Sequence, residues 1–265
     1  MSAEADGFFF PIFNEAGAKV WDIRSSMALP SGDVMRLQDV HMQLFDEDGK
    51  AQIFIGGTET FLNLSTQEIN GEEFIHVAGE LFTALSTRWK IFGSDKRMVM
   101  DRDIRVFFEG VFDAAINGEC TQGSDGRYTL ITSAFLQISY DSKGVFFYFN
   151  DRAEIQSGNL EMTCDSLRVL NFPEKSWAAP NRSAGDRIRQ KIDAVGNVSG
   201  FWRNRSFSAN ACEIYPKENV IVFSGNVRIG NGENIITGEK FILRGGLRPV
   251  IAPADGMEFP TSVLP

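Results

Sequence analysis

The sequence predicts an all-β protein built from stacked antiparallel strands, and three observations predict it. Helical periodicity is scarce along the 265 residues. Period-two alternation, the mark of a strand with one buried and one wet face, runs almost end to end. One phrase also occurs twice: "IDAVGNVSGFWRNRSFSANACEI" (192–214) is followed by "IVFSGNVRIGNGENIITGEKFIL" (221–243). Composition agrees. Hydrophobic residues make up 43% and charged residues 23%, the balance of a globular chain. The 23 Phe against 4 Tyr and 4 Trp supply rings without polar handles, which suit strands facing a dry interior.

Turn residues punctuate the chain at "DEDGK" (46–50), "NGEE" (70–73), "GSDK" (93–96), "QGSDGR" (122–127), "DSKG" (141–144), "PKEN" (216–219) and "GNGEN" (230–234). Their spacing predicts a meander of about sixteen to eighteen strands. Setting Gly196 on Gly225, an offset of 29 residues, matches Ile192, Ala194 and Val198 with Ile221, Phe223 and Val227. Ser208, Cys212 and Ile214 then match Thr237, Phe241 and Leu243. Looser copies of the Gly half are Ile75-Val77-Gly79-Leu81 and Ile104-Val106-Phe108-Gly110-Phe112, with Gly158 as a fifth position. Looser copies of the Thr half are Thr58-Leu62-Leu64, Thr132-Leu136-Ile138 and Thr163-Leu167-Val169. Residues at even offsets from the Gly are apolar, so the expected unit is a strand bent at a buried-face Gly, a turn, and a second strand. Units of about 29 to 48 residues stacked side by side make a β-array. The phrase reads as architecture.

Two stretches break the rhythm. "NFPEKSWAAPNRSAGDRIRQ" (171–190) reads as a surface insertion, with "SAGDRIRQ" (183–190) its best helical piece, and the Pro-rich tail after Arg248 reads as extended.

Charge and motifs narrow the function classes. A net charge of −9 and a pI near 4.9 argue against nucleic acid as a partner, because phosphate binding relies on a basic patch. No run approaches a membrane-spanning helix, and "MSAEADGFFFPIF" is too short and lacks the basic start of a signal peptide. The chain is either cytoplasmic or written without its leader. Cys120, Cys164 and Cys212 are far apart with no CxxC pair. They read as buried thiols acting as small apolar groups, with one disulfide and one thiol left over as the alternative. His41 and His76 lack metal-protease spacing, and "DEDGK" lacks the later acidic ligand of a calcium loop, so no metal or cofactor is expected. No nucleophile elbow, P-loop or dinucleotide fingerprint is present, so no catalytic residues are assigned and the chain reads as a non-enzyme.

The repeated entry "AVGNVSG" (194–200) and "FSGNVRI" (223–229), followed by "IITGEKFIL" (235–243), resembles the OstA-like family of periplasmic lipopolysaccharide-transport proteins. The front, "VWDIRSSMALPSGDVMRLQDVHMQLFDEDGK" (20–50) and "GTETFLNL" (57–64), is more similar to that family's membrane-anchored component. The resemblance implies an open twisted β-jellyroll, with residues 1–118 and 119–265 as two joined parts. It also implies a periplasmic location, lipopolysaccharide or another acylated lipid in an apolar groove, and partners from the transport system joined by edge-strand addition. The chain is longer than a single bridge protein of that family. The inferred interior supplies the candidate lipid-binding residues: Ile75, Val77, Leu81, Ile104, Val106, Phe108, Phe112, Ile221, Phe223, Val227 and Ile229. Plain core packing is the competing reading of each. At the level of function the alternatives are a structural or adhesive β-solenoid with a closed core that binds protein or polysaccharide, and a polysaccharide-acting enzyme on a β-array.

Overall fold

A computed structural model describes residues 5–93, 95–109, 128–141, 144–158, 160–173, 188–202, 205–216, 218, 220–231, 234–244 and 248–251. All elements among them are β-strands, and neighbouring strands pair antiparallel. The first four are long: β1 (Ala5–Phe13), β2 (Lys19–Ser31), β3 (Val34–Phe45) and β4 (Ala51–Asn63). Short ones follow: β5 (Glu68–Gly71), β6 (Ile75–Gly79), β7 (Phe82–Ser86), β8 (Arg88–Phe92), β9 (Arg97–Arg102) and β10 (Ile104–Glu109). Then come β11 (Tyr128–Ser133), β12 (Phe135–Asp141), β13 (Gly144–Asn150), β14 (Ala153–Ser157), β15 (Leu160–Cys164) and β16 (Ser166–Pro173). Long strands return with β17 (Ile188–Trp202), β18 (Arg205–Tyr215), β19 (Val220–Gly230) and β20 (Ile235–Arg244), and β21 (Arg248–Ile251) ends the array.

The pairing shows how one sheet becomes two. β4 gives Ile53–Gly57 to β6 and Phe61–Asn63 to β5. One branch then runs β6-β7-β10-β11-β14-β15, and the other β5-β8-β9-β12-β13-β16. They rejoin on β17, whose first half pairs with β16 and whose last residues pair with β15. The branches face each other. Phe147 of β13 packs edge-on against Phe82 of β7 and Phe108 of β10, with ring centroids 4.7 and 4.9 Å apart. Near the first end Trp21 of β2 donates its Nε1–H to the carbonyl of Gly93, after β8, at 3.1 Å.

The strands form because alternation gives each a face to bury. In β10 ("IRVFFE") Ile104, Val106 and Phe108 are buried while Arg105 and Glu109 are exposed. The strand number exceeds sixteen to eighteen because each middle strand is cut in two at the bend. Single residues such as Thr87, Ala134 and Asp165 separate the halves. Serine marks several of these corners. Ser25, Ser86 and Ser133 each donate Oγ–H to the carbonyl two residues ahead, on Met27, Arg88 and Phe135. A hydroxyl thereby satisfies a carbonyl that the interrupted ladder leaves free.

The Gly-Asn-Val phrase is a corner too, but only in its two clear copies. Gly196 and Asn197, and Gly225 and Asn226, all have positive φ, and the ladder skips a step at each pair. Here glycine answers two demands. Its φ is +80° at Gly196 and +74° at Gly225, and a Cβ there would lie 2.9 Å from the Cβ of Asp165 or of Asn210. The looser copies have a different role. Gly79 ends β6 at a hairpin, and Gly158 sits in the β14–β15 hairpin, so neither is a bend in mid-strand. Gly110 lies outside the described residues. "NGEE" is likewise no hairpin, since Asn70 and Gly71 complete β5 and Glu72 and Glu73 belong to the break before β6.

The insertion expected over 171–190 is shorter at both ends, because β16 runs to Pro173 and β17 begins at Ile188. The proposed helical piece therefore ends in strand, and 174–187 lie outside the described residues. The ladder is hydrogen-bonded without interruption from β1 to β21.

Candidate functional site

The space between the branches is lined by apolar side chains from every strand pair, and it is mostly filled. Phe108, Phe147, Phe149 and Phe241 are the largest side chains with essentially no exposure. Toward the last strands the filling loosens. Leu160, Trp202, Phe207, Ile221, Phe223, Ile229 and Leu243 surround a pocket with about 460 Å³ of empty volume, its mouth included. Among the described residues Arg205 is the one charged residue in its wall, and it is exposed. Among the described residues no carboxylate pairs with its guanidinium. The Phe207 and Phe223 rings lie 5.1 Å apart at a tilt, packed but not closed over each other.

Local sequence explains the placement. β17 and β18 pair Trp202 with Arg205 and Gly200 with Phe207, so Phe207 fills the interior where Gly200 has no side chain. An added Cβ on Gly200 would approach the Phe207 ring at 2.8 Å. β18 and β19 set Phe207 against Ile229 and Cys212 against Phe223. The pocket thus lies between the edge-side half of β17–β19, where Trp202, Phe207 and Ile229 sit, and the other half, which brings Ile221, Phe223 and Leu243.

A second, smaller gap, with about 270 Å³ of empty volume including its mouth, lies near the opposite end, between Trp21, Leu44, Ile53, Ile55 and Val77 on one side and Lys96, Arg97, Met98, Ile138 and Tyr140 on the other. Lys96 lies over the Tyr140 ring at 5.5 Å, and the Tyr140 N–H donates to the Lys96 carbonyl at 3.1 Å. Burial raises the Tyr140 hydroxyl to about 12, helped by the nearby charges of Asp46, Glu47, Asp141 and Asp48. The acidic "DEDGK" turn therefore sits near this mouth. It is a hairpin, held by Asp46 Oδ1 accepting from the backbone N–H of Asp48 and Lys50 at 3.0 and 2.8 Å.

The candidate residues separate into three groups. Ile221, Phe223 and Ile229 line the larger pocket, and Val77 lines the smaller gap. Ile75, Ile104, Val106, Phe108 and Val227 are buried in the packed interior. Leu81 is half-buried in the β6–β7 turn, where its carbonyl accepts from the Glu109 N–H at 3.1 Å. Phe112 lies outside the described residues. The reading from sequence missed Leu160, Trp202, Arg205 and Phe207. Leu160 and Trp202 stand at strand ends where alternation has no further residue to confirm it, and Arg205 is polar. Phe207 carried a signal, because it lies two before Ala209 on the buried side of the Ser208 phrase.

Among the described residues no three His, Cys, Asp or Glu side chains gather as a metal site, and no helix is long and apolar enough to cross a membrane. Cys164 and Cys212 are free and buried. Burial raises both thiols, Cys164 to about 12. Cys120 lies outside the described residues. Searched against models of protein families and against curated proteins, the chain matches none.

Proposed function

We propose that the chain is a non-enzymatic, OstA-like lipid-binding protein of a Gram-negative type of envelope. In this reading its two facing branches form an open twisted β-jellyroll, and acyl chains of lipopolysaccharide or a related lipid lie between them during transit of the periplasm. The observation that carries the reading is the pocket at the β17–β20 end, a cleft between the two halves of the bent strands with apolar walls and the Arg205 guanidinium among them. Such walls suit an acyl chain, because each CH₂ removed from water contributes about 0.8 kcal/mol. Arg205 suits the phosphate or carboxylate at the head of the same molecule. The resemblance of the two Gly-Asn-Val corners to the OstA-like phrase supports the family, and the outer edges of β1 and β21, which pair with no further strand among the described residues, suit partners that add a strand.

The experiment is a titration of the full chain with lipid A, run beside Ile229→Trp, which fills the pocket from a half-buried wall position. Saturable binding by the wild type, weakened in the folded variant, supports the reading. Absence of binding well above micromolar concentrations sinks it.

A second reading has its own observation. The Phe82, Phe108 and Phe147 contacts close the middle of the interior, which suits a scaffold that binds protein or polysaccharide on its outer faces. Lipid A binding confined to the β17–β20 end would separate the two.

A further inference from the structure

The mouth of the larger pocket carries two of the exposed large apolar side chains on its outer surface. Phe201 of β17 and Ile235 of β20 are 58% and 52% exposed. They are distant in sequence but share one register row: Phe201 faces Ser206, Ser206 faces Gly230, and Gly230 faces Ile235. Directly opposed residues of an antiparallel ladder point to the same face. Phe201 and Ile235 therefore stand on the outer face at the two ends of a strip whose middle positions are small. Three strand spacings of about 4.8 Å put their backbones about 14 Å apart. Trp202 and Arg205 are the adjoining pair on the inner side, where they line the pocket. Arg228, exposed two residues before Gly230, places a guanidinium on the outer face. The strip ends at Glu161 of β15, the next residue in the row beyond Phe201.

Exposed Phe and Ile cost free energy in water, and one face that carries both beside an apolar mouth has a reason to leave it. Two cations among the described residues at this rim, in a chain of net charge −9, mark a local preference for an anionic surface. Trp202 is half-buried, and Trp is a residue type that favours the headgroup level of a bilayer. The exposed Phe9 at the far end of the array differs, because Arg24 lies over its ring at 5.6 Å.

We propose that this rim is a membrane-docking surface. Phe201 and Ile235 enter the boundary between headgroups and acyl chains of a bilayer bearing anionic lipid. Arg205 and Arg228 meet its phosphates, and the pocket mouth opens against the lipid. The inference rests on the reading that the pocket takes an acyl chain, and it adds where that chain enters and from what.

The test is co-sedimentation of the full chain with vesicles of phosphatidylcholine alone and of phosphatidylcholine mixed with phosphatidylglycerol. Uptake of a fluorescent free fatty acid is measured on the same preparations. The expected result is binding to the anionic vesicles that weakens with salt and falls about tenfold or more in Phe201→Ser/Ile235→Ser. Arg205→Gln/Arg228→Gln should bind both vesicle types alike. These side chains are exposed, so circular dichroism should show every variant folded. Vesicle binding that the variants leave unchanged, or fatty-acid uptake with no vesicle binding, overturns the docking surface while leaving the carrier reading standing. Rim-dependent vesicle binding without fatty-acid uptake keeps the docking surface and overturns the carrier reading.

Discussion

Replacing Gly225 by Ala isolates what the Gly-Asn-Val corner demands of the backbone. At φ +74° an L-residue pays roughly 1–2 kcal/mol for the left-handed conformation. The new methyl also meets Asn210, whose Cβ would lie 2.9 Å away, and relieving that contact costs about 1–3 kcal/mol. Ala returns about 0.4–1 kcal/mol through the unfolded chain, which leaves a net loss of roughly 2–4 kcal/mol. The control is Gly56→Ala in β4, where φ is not positive and an added Cβ meets nothing within 4 Å. It should be neutral, or stabilising by up to about 1 kcal/mol. Equilibrium urea unfolding reads both as shifts of the midpoint at constant slope. Adding Asn210→Gly to Gly225→Ala removes the contact, Cβ included, and keeps the strained φ, so the double variant should retain a loss of about 1–2 kcal/mol relative to Asn210→Gly alone. Equal midpoints for Gly225→Ala and Gly56→Ala would refute the reasoning, and no recovery in the double variant would refute its steric half.

Phe147→Ala should cost about 3–5 kcal/mol, read in the same urea titration, because its ring is fully buried between the branches against Phe82 and Phe108. Trp21→Phe should lose about 1–3 kcal/mol, since the Gly93 carbonyl is left without its indole partner. Stability should fall as pH rises from about 9 toward 12. Cys164, Cys212 and Tyr140 all have raised folded pKa values, so the unfolded chain loses those protons first and gains in relative stability over that window. Cys164→Ser/Cys212→Ser/Tyr140→Phe should flatten that decline in pH-dependent urea titrations. Cys164 and Cys212 should also resist a thiol reagent at pH 8 until denaturant is added, which mass spectrometry of the labelled chain would locate.

The fold was legible wherever alternation was clean. Ile192, Ala194 and Val198, and Ile221, Phe223 and Val227, are all buried on one side, as their spacing requires. The all-β antiparallel character followed from that pattern and from the turns at 46–50, 93–96 and 141–144. The phase of the looser repeats was not legible. Gly79 lies four residues after Ile75, as Gly196 lies four after Ile192, yet one closes a hairpin and the other bends a strand. A glycine serves both sites, so only the partner at the corner, Asp165 or Asn210, distinguishes them, and those partners come from other strands. Corners made by Ser86 and Ser133 escaped notice because a hydroxyl bonding to a carbonyl leaves no periodic trace. The pocket was half legible. Ile221, Phe223 and Ile229 carry the alternation, whereas Leu160, Trp202 and Arg205 stand at hairpin ends and are brought together only by pairing across β15, β17 and β18.

The most direct test of the central claim is quenching of Trp202 by lipid A carrying brominated acyl chains. Trp202 stands in the pocket wall, Trp21 and Trp89 are buried toward the other end of the array, and Trp177, outside the described residues, is replaced by Phe in every protein compared. The account predicts saturable quenching that disappears in Trp202→Phe. Folded chain retaining Trp202 whose fluorescence stays unchanged in excess brominated lipid, or whose quenching survives in Trp202→Phe, would contradict it.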